Sequence, residues 1–179
     1  MSKIYVDEIA GIASPSTVAI PGHVIQVVQT TFREGVSFTL NNTFSAMTQL
    51  NTNITPSSTS SKILIRLCSY VTSDSDSTNP YPGFRFIKDS SPITLAIGTT
   101  TSSRKELTGA AGETGNSYSG TVYLGAEFLD SPSTTSQITY GVEYTGYSSR
   151  TFNVGSSGIN DGNSGSVTLT TLTLMEIAG

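Results

Sequence analysis

Charge is scarce in this chain. Lys, Arg, Asp and Glu together make up 12% of the sequence, and the net charge is −4. A soluble monomer usually carries more charge on its surface than this. The sequence therefore predicts that identical subunits or a larger assembly cover much of the surface. The acidic balance argues against nucleic acid as a partner. Cys68 is the only cysteine, so no intrachain disulfide can form. His23 is the only histidine, and tryptophan is absent. The His and Cys ligands of a zinc site are missing. No apolar run is long enough to cross a bilayer as a helix, so no membrane insertion is expected. Met1–Glu8 lacks the apolar stretch of a secretory signal, which predicts synthesis in a cytoplasm without export by that route.

What the chain has is Ser, Thr and short β-branched runs. Apolar residues make up 36%, enough for a core, so this is not a disordered polar chain. Strands are predicted at Val24–Phe32, Val36–Leu40, Leu50–Ile54, Lys62–Thr72, Phe84–Lys88, Ile93–Ile97, Thr121–Leu129, Gln137–Gly146 and Val167–Ile177. Val36–Leu40 is placed to pair with the first strand across Arg33-Glu-Gly35. Phe84–Lys88 and Ile93–Ile97 read as a hairpin across Asp89-Ser-Ser-Pro92. Alternation puts Ile63, Ile65, Leu67 and Val71 on one face. It does the same for Val122, Leu124, Ala126 and Phe128, and for Ile138, Tyr140, Val142 and Tyr144.

The last strand changes phase. Val167 and Leu169 point one way, Leu172 and Leu174 the other. Either a bulge or burial on both faces fits this. A closing strand this apolar belongs inside a sheet or a subunit interface. The pattern predicts an all-β fold: an antiparallel, jelly-roll-like β-sandwich over residues 23–179 with an extended N-terminal arm over residues 1–22. The arm is too short to bury a core. Its apolar side chains, Ile4, Tyr5, Val6, Ile9, Ile12, Val18 and Ile20, need a partner surface, and fully extended it reaches roughly 70 Å. They are the candidate attachment residues.

Three long loops follow from the strand assignment: Ser73–Pro82, Thr99–Ser119 and Ser148–Ser166. Long Gly-, Ser-, Thr- and Asn-rich loops are either functional or plain solvated connectors. Catalytic candidates are few. His23 could serve a triad only with partners drawn from a very large pool of Ser and Asp. Asp74-Ser-Asp-Ser-Thr-Asn79 and Asn160-Asp-Gly-Asn163 space oxygens as a calcium loop does, but they fit ordinary turns equally well. Gly109–Gly115 lacks the Lys of a phosphate-binding loop. Glu127 and Glu143 lie outward on different strands and define no glycosidase pair. Tyr81, Tyr118 and Tyr147 can stack on sugars or pack on a neighbour. No cofactor, no metal and no enzymatic activity is expected.

Four runs carry a resemblance: Lys3-Ile-Tyr-Val-Asp-Glu-Ile9, Gly22-His-Val-Ile-Gln-Val-Val-Gln29, Ile54-Thr-Pro-Ser-Ser-Thr-Ser-Ser-Lys-Ile-Leu-Ile65 and Leu172-Thr-Leu-Met-Glu-Ile177. With these the chain resembles bacteriophage virion proteins of marine bacteria and cyanobacteria, often labelled tail-fibre or structural proteins. The resemblance implies a trimeric β-sandwich knob and transfers no catalytic residue. The expected function is a non-enzymatic virion structural protein: a short homotrimeric appendage, anchored by its arm to other phage capsid or tail proteins, decorating or cementing the capsid. The alternative is a short tail fibre or receptor-binding knob that contacts host surface glycans. The chain has no shaft repeats or coiled-coil heptads, which argues against a long fibre.

Overall fold

The computed structural model describes residues 22–73, 81–100, 102–111, 121–146, 150–157, 162 and 165–179. The described strands are β1 (Val24–Phe32), β2 (Val36–Leu40), β3 (Phe44–Ala46), β4 (Thr52–Ile54), β5 (Lys62–Ser73), β6 (Gly83–Lys88), β7 (Ser91–Pro92), β8 (Gly109–Ala110), β9 (Val122–Asp130), β10 (Ile138–Thr145), β11 (Arg150–Val154) and β12 (Thr170–Ile177). Every pairing is antiparallel. Among the described residues the only helical turns are 3-10 turns at Thr48–Leu50 and Thr94–Ala96. The all-β, antiparallel fold read from the sequence is the fold observed.

The first sheet runs β1-β12-β5, with β9 along the other side of β5 and β11-β2 continuing from its C-terminal end. The second runs β3-β10-β6-β7, with β4 beside β10 and β8 beside β6. Late strands lie between early ones. β12 separates β1 from β5, and β10 separates β3 and β4 from β6. This interleaving is the double Greek-key wrap of a jelly roll. The closing strand sits inside a sheet, as its apolar sequence requires.

The faces predicted by alternation are the buried ones. Ile63, Ile65, Leu67, Tyr140, Val142, Tyr144, Leu172 and Leu174 are all fully buried. Phe38, Phe84, Tyr144 and Phe152 cluster with ring centroids 5.5–6.3 Å apart. Polar links tie the two sheets together. Tyr140 Oη donates to Asp130 Oδ2 at 2.7 Å, and Lys88 Nζ reaches the same oxygen at 2.9 Å. Tyr144 Oη donates to Ser69 Oγ at 3.3 Å. Burial pushes both tyrosine hydroxyls well above their ordinary pKa, and Asp130 adds to the effect at Tyr140.

Some local readings need correction. β2 does not form a hairpin with β1; it pairs with β11, from Val36↔Val154 to Leu40↔Arg150. β11 itself lies within the stretch read as the loop Ser148–Ser166. Ile93–Ile97 is not a strand. The hairpin closes earlier, with Ser91 opposite Lys88, and Asp89 and Ser90 both at positive φ (47° and 64°) make the turn. Pro92 still pairs with Ile87 and Ile93 N–H donates to Phe86 O at 3.0 Å, and the chain then coils into the 3-10 turn at Thr94–Ala96. Val167 and Leu169 precede β12 and are exposed; only Val167 makes an isolated bridge, to Ser156. The phase change is the end of the ladder. Of Leu50–Ile54, only Thr52–Ile54 is extended.

Candidate functional site

The ladder register aligns side chains across the outer face of the first sheet. Opposed residues in an antiparallel pair share a face. Leu129 on β9 opposes Leu64 on β5, Leu64 opposes Met175 on β12, and Met175 opposes Val27 on β1. One apolar row thus crosses the strands. Beside it, Ile177 opposes Val24, and a bulge at Ile25 turns a further apolar side chain outward. The two ends of the row are open to solvent, Leu129 45% and Val27 57% exposed, as are Val24 (47%) and Ile25 (39%) beside it, while Leu64 and Met175 in its middle are half-buried. A contiguous apolar surface of this kind marks an interaction site more often than a bare exterior.

The next row is polar. Glu127 opposes Arg66, which opposes Thr173, which opposes Gln29. Arg66 Nε lies 3.2 Å from Glu127 Oε1, and Gln29 Nε2 donates to Thr173 Oγ1 at 2.7 Å. The charges and hydroxyls of this row satisfy one another. Cys68 lies one row further, opposite Gly125 and Thr171, and is half-buried. Tyr70 and Tyr123 pack edge to face at 5.5 Å at the far end. So the apolar row lies at the end of the sheet where β1 begins. The chain enters there. Gly22 N–H donates to Ala178 O and Ala178 N–H to His23 O, both at 2.9 Å. Gly22 has a φ of 83°, a turn conformation suited to glycine. Its Cβ position faces open space.

This end is held shut by Glu176. Its side chain is buried, and Oε1 accepts from the Ser57 N–H at 2.7 Å and the Ser57 hydroxyl at 2.6 Å. Oε2 accepts from Gln26 Nε2 at 2.6 Å, and the same amide reaches Thr55 O at 2.8 Å. Burial alone would raise the carboxyl pKa. The hydrogen bonds from Ser57 and Gln26 outweigh it and hold the group below the usual carboxylate range. Gln26, Ser57 and Glu176 come from three separate runs that carry the sequence resemblance. Those runs meet here because they build one closed end of the sandwich.

A second surface lies at the loop end. Asn42, Tyr81, Arg104, Lys105, Leu107, Ala111 and neighbours line a cleft of about 860 Å³. Beside it Arg85 stacks over Phe44 at 3.7 Å and pairs with Glu143 at 2.8 Å. Lys105 donates to Thr145 Oγ1, and desolvation with the nearby Arg85 lowers its pKa.

The chemical candidates do not gather. Glu127 pairs with Arg66 on the first sheet and Glu143 with Arg85 on the second, so they form no carboxylate couple. His23 immediately precedes β1, where its carbonyl accepts from Ala178 N–H. Among the described residues no group of three or more His, Cys, Asp or Glu side chains could hold a metal. Ile4, Tyr5, Val6, Ile9, Ile12, Val18 and Ile20 lie outside the described residues. So do Tyr118, Tyr147 and most of both oxygen-rich turns. Sequence reasoning missed the apolar row, because Leu64, Leu129, Met175 and Val27 fall on the outward phase of four separate strands. It also missed the Glu176 clamp. No protein-family model and no curated protein matches the chain.

Proposed function

We propose that the chain is a non-enzymatic bacteriophage virion structural protein. It assembles as a homotrimer into a short surface appendage, anchored by its N-terminal arm to capsid or tail proteins, and decorates or cements the capsid. It is made in the host cytoplasm and ends in the virion. One observation carries the assembly reading: the apolar row Leu129–Leu64–Met175–Val27 on the outer face of the first sheet, exposed at both ends. Covering that row removes apolar area from water, worth about 25 cal/mol per Å². Cyclic symmetry is the common way for identical chains to supply such cover. The sparse charge points the same way.

The loop-end cleft favours a second reading, a tail-fibre or receptor-binding knob. Tyr81 offers a stacking ring, and Arg104 and Lys105 offer cationic donors. The ligand would be a host surface glycan, bound weakly per site and strengthened by three copies. Particles lacking the protein separate the two. Normal adsorption with bursting under heat or osmotic shock supports decoration. Lost adsorption with intact particles supports the knob. Particles unaffected in both respects contradict both.

A further inference from the structure

We infer that the apolar row on the outer face of the first sheet is the seat of the N-terminal arm of a neighbouring copy, through the segment Ile12–Ile20. The inference rests on the homotrimer reading and names the contact that closes it.

The matching chemistry is on both sides. From Ile9 to Pro21 the sequence carries no charge, and within Ile12–Ile20 the large apolar side chains are Ile12, Val18 and Ile20. The four residues of the row carry no charge; on the same outer face Arg66 and Glu127 pair with each other on one side, and exposed Lys62, opposite Ile177, lies on the other. A neutral segment covers the four apolar side chains without stripping water from a charge of its own. The charged residues of the arm, Lys3, Asp7 and Glu8, all precede this segment.

The lengths agree as well. Four strands spaced about 4.8 Å apart put Val27 and Leu129 about 14 Å from each other. Nine extended residues span about 30 Å. Ile12–Ile20 therefore crosses the whole row with chain to spare for the step between copies. The arm joins the sandwich at Gly22, at the same end of the sheet as the row. Copies arranged around an axis near that end bring each arm's root beside the next copy's row. Ile4, Tyr5, Val6 and Ile9 are then left beyond the face, free to bind another particle protein. One arm thus serves both joints.

The test is disulfide trapping in the full-length chain. The native thiol is first removed by Cys68→Ser. Val18→Cys and Leu129→Cys are then added; Leu129 is exposed, so its replacement leaves the core intact. Mild oxidation should give covalently linked chains on a non-reducing gel. A disulfide within one chain, or none at all, overturns the arm exchange. Light scattering on the same sample separates this failure from that of the assembly reading. A trimer without interchain disulfides leaves the trimer standing and removes the arm from the row. A monomer removes both. As a second measurement, Val27→Glu puts a charge in the row. Amide exchange across residues 12–20 should be slow in the parent protein and at least tenfold faster in the variant. Equal rates in the two proteins overturn the inference.

Discussion

Glu176 and Ser57 lie 119 positions apart in the chain, yet one carboxylate oxygen takes both the N–H and the hydroxyl of the serine, at 2.7 and 2.6 Å. Gln26 completes the set from the first strand, at 2.6 Å. Glu176→Ala removes a buried charged acceptor from three hydrogen bonds, two from exposed Ser57 and one from half-buried Gln26. Hydrogen bonding to a charged group contributes about 1.5–3 kcal/mol. Chemical denaturation should show a loss of that size, with the slope of the transition unchanged. Stability equal to the parent would show that water replaces the carboxylate at no cost.

The same clamp predicts a pH dependence. The folded pKa of Glu176 lies below its ordinary value. Its contribution is therefore full above the ordinary carboxylate pKa of about 4.3 and is lost as pH falls through the lower folded value. Glu176→Gln mimics the protonated form. The difference in melting temperature between parent and Glu176→Gln should be widest near neutrality and shrink in acid. A difference that stays constant on acidification would rule out the carboxylate as the titrating group.

Truncation to Ala at Ile63, Ile65, Leu67, Tyr140 or Val142 should cost about 2–5 kcal/mol each, because all five side chains are fully buried. Tyr140→Phe isolates the hydroxyl that meets Asp130. It should cost about 1 kcal/mol, well under the truncation. Thermal melts that are unmoved in all five Ala variants would mean the inward faces are wrongly assigned.

The β6–β7 turn invites stabilisation. Ser90 holds a φ of 64°, which glycine adopts without the Cβ penalty. Ser90→Gly should raise stability by about 0.5 kcal/mol, less than the full relief because glycine is freer when unfolded. A lower melting temperature would indicate that the serine side chain holds the turn.

What was legible in the sequence was local. β1 and β2 begin and end where the β-branched runs do, and the core-facing sides of β5, β9 and β10 follow from strict alternation, with Val122, Ala126 and Phe128 of β9 only partly buried. Pairing across the chain was not legible. β2 finds β11 rather than its neighbour β1, and no turn signal between Phe32 and Val36 could reveal a partner that far away. Arg150–Val154 is short and set among Gly and Ser, so it read as loop. Ile93–Ile97 alternates like a strand, but only Ile93 bonds to β6, through Phe86 O, before the chain enters the 3-10 turn at Thr94–Ala96. The apolar row shows the same limit. Leu64, Leu129, Met175 and Val27 look incidental one by one and become a surface only through register. Gln26, Ser57 and Glu176 sat in the runs that carried the resemblance, and only the fold shows why they belong together.

The central claim is self-assembly through the open face of the first sheet, and the mass of the full-length chain in solution tests it most directly. Light scattering behind size exclusion should give three times the chain mass at micromolar concentration, and Val27→Glu should lower it. A single-chain mass for the intact parent protein would contradict the account.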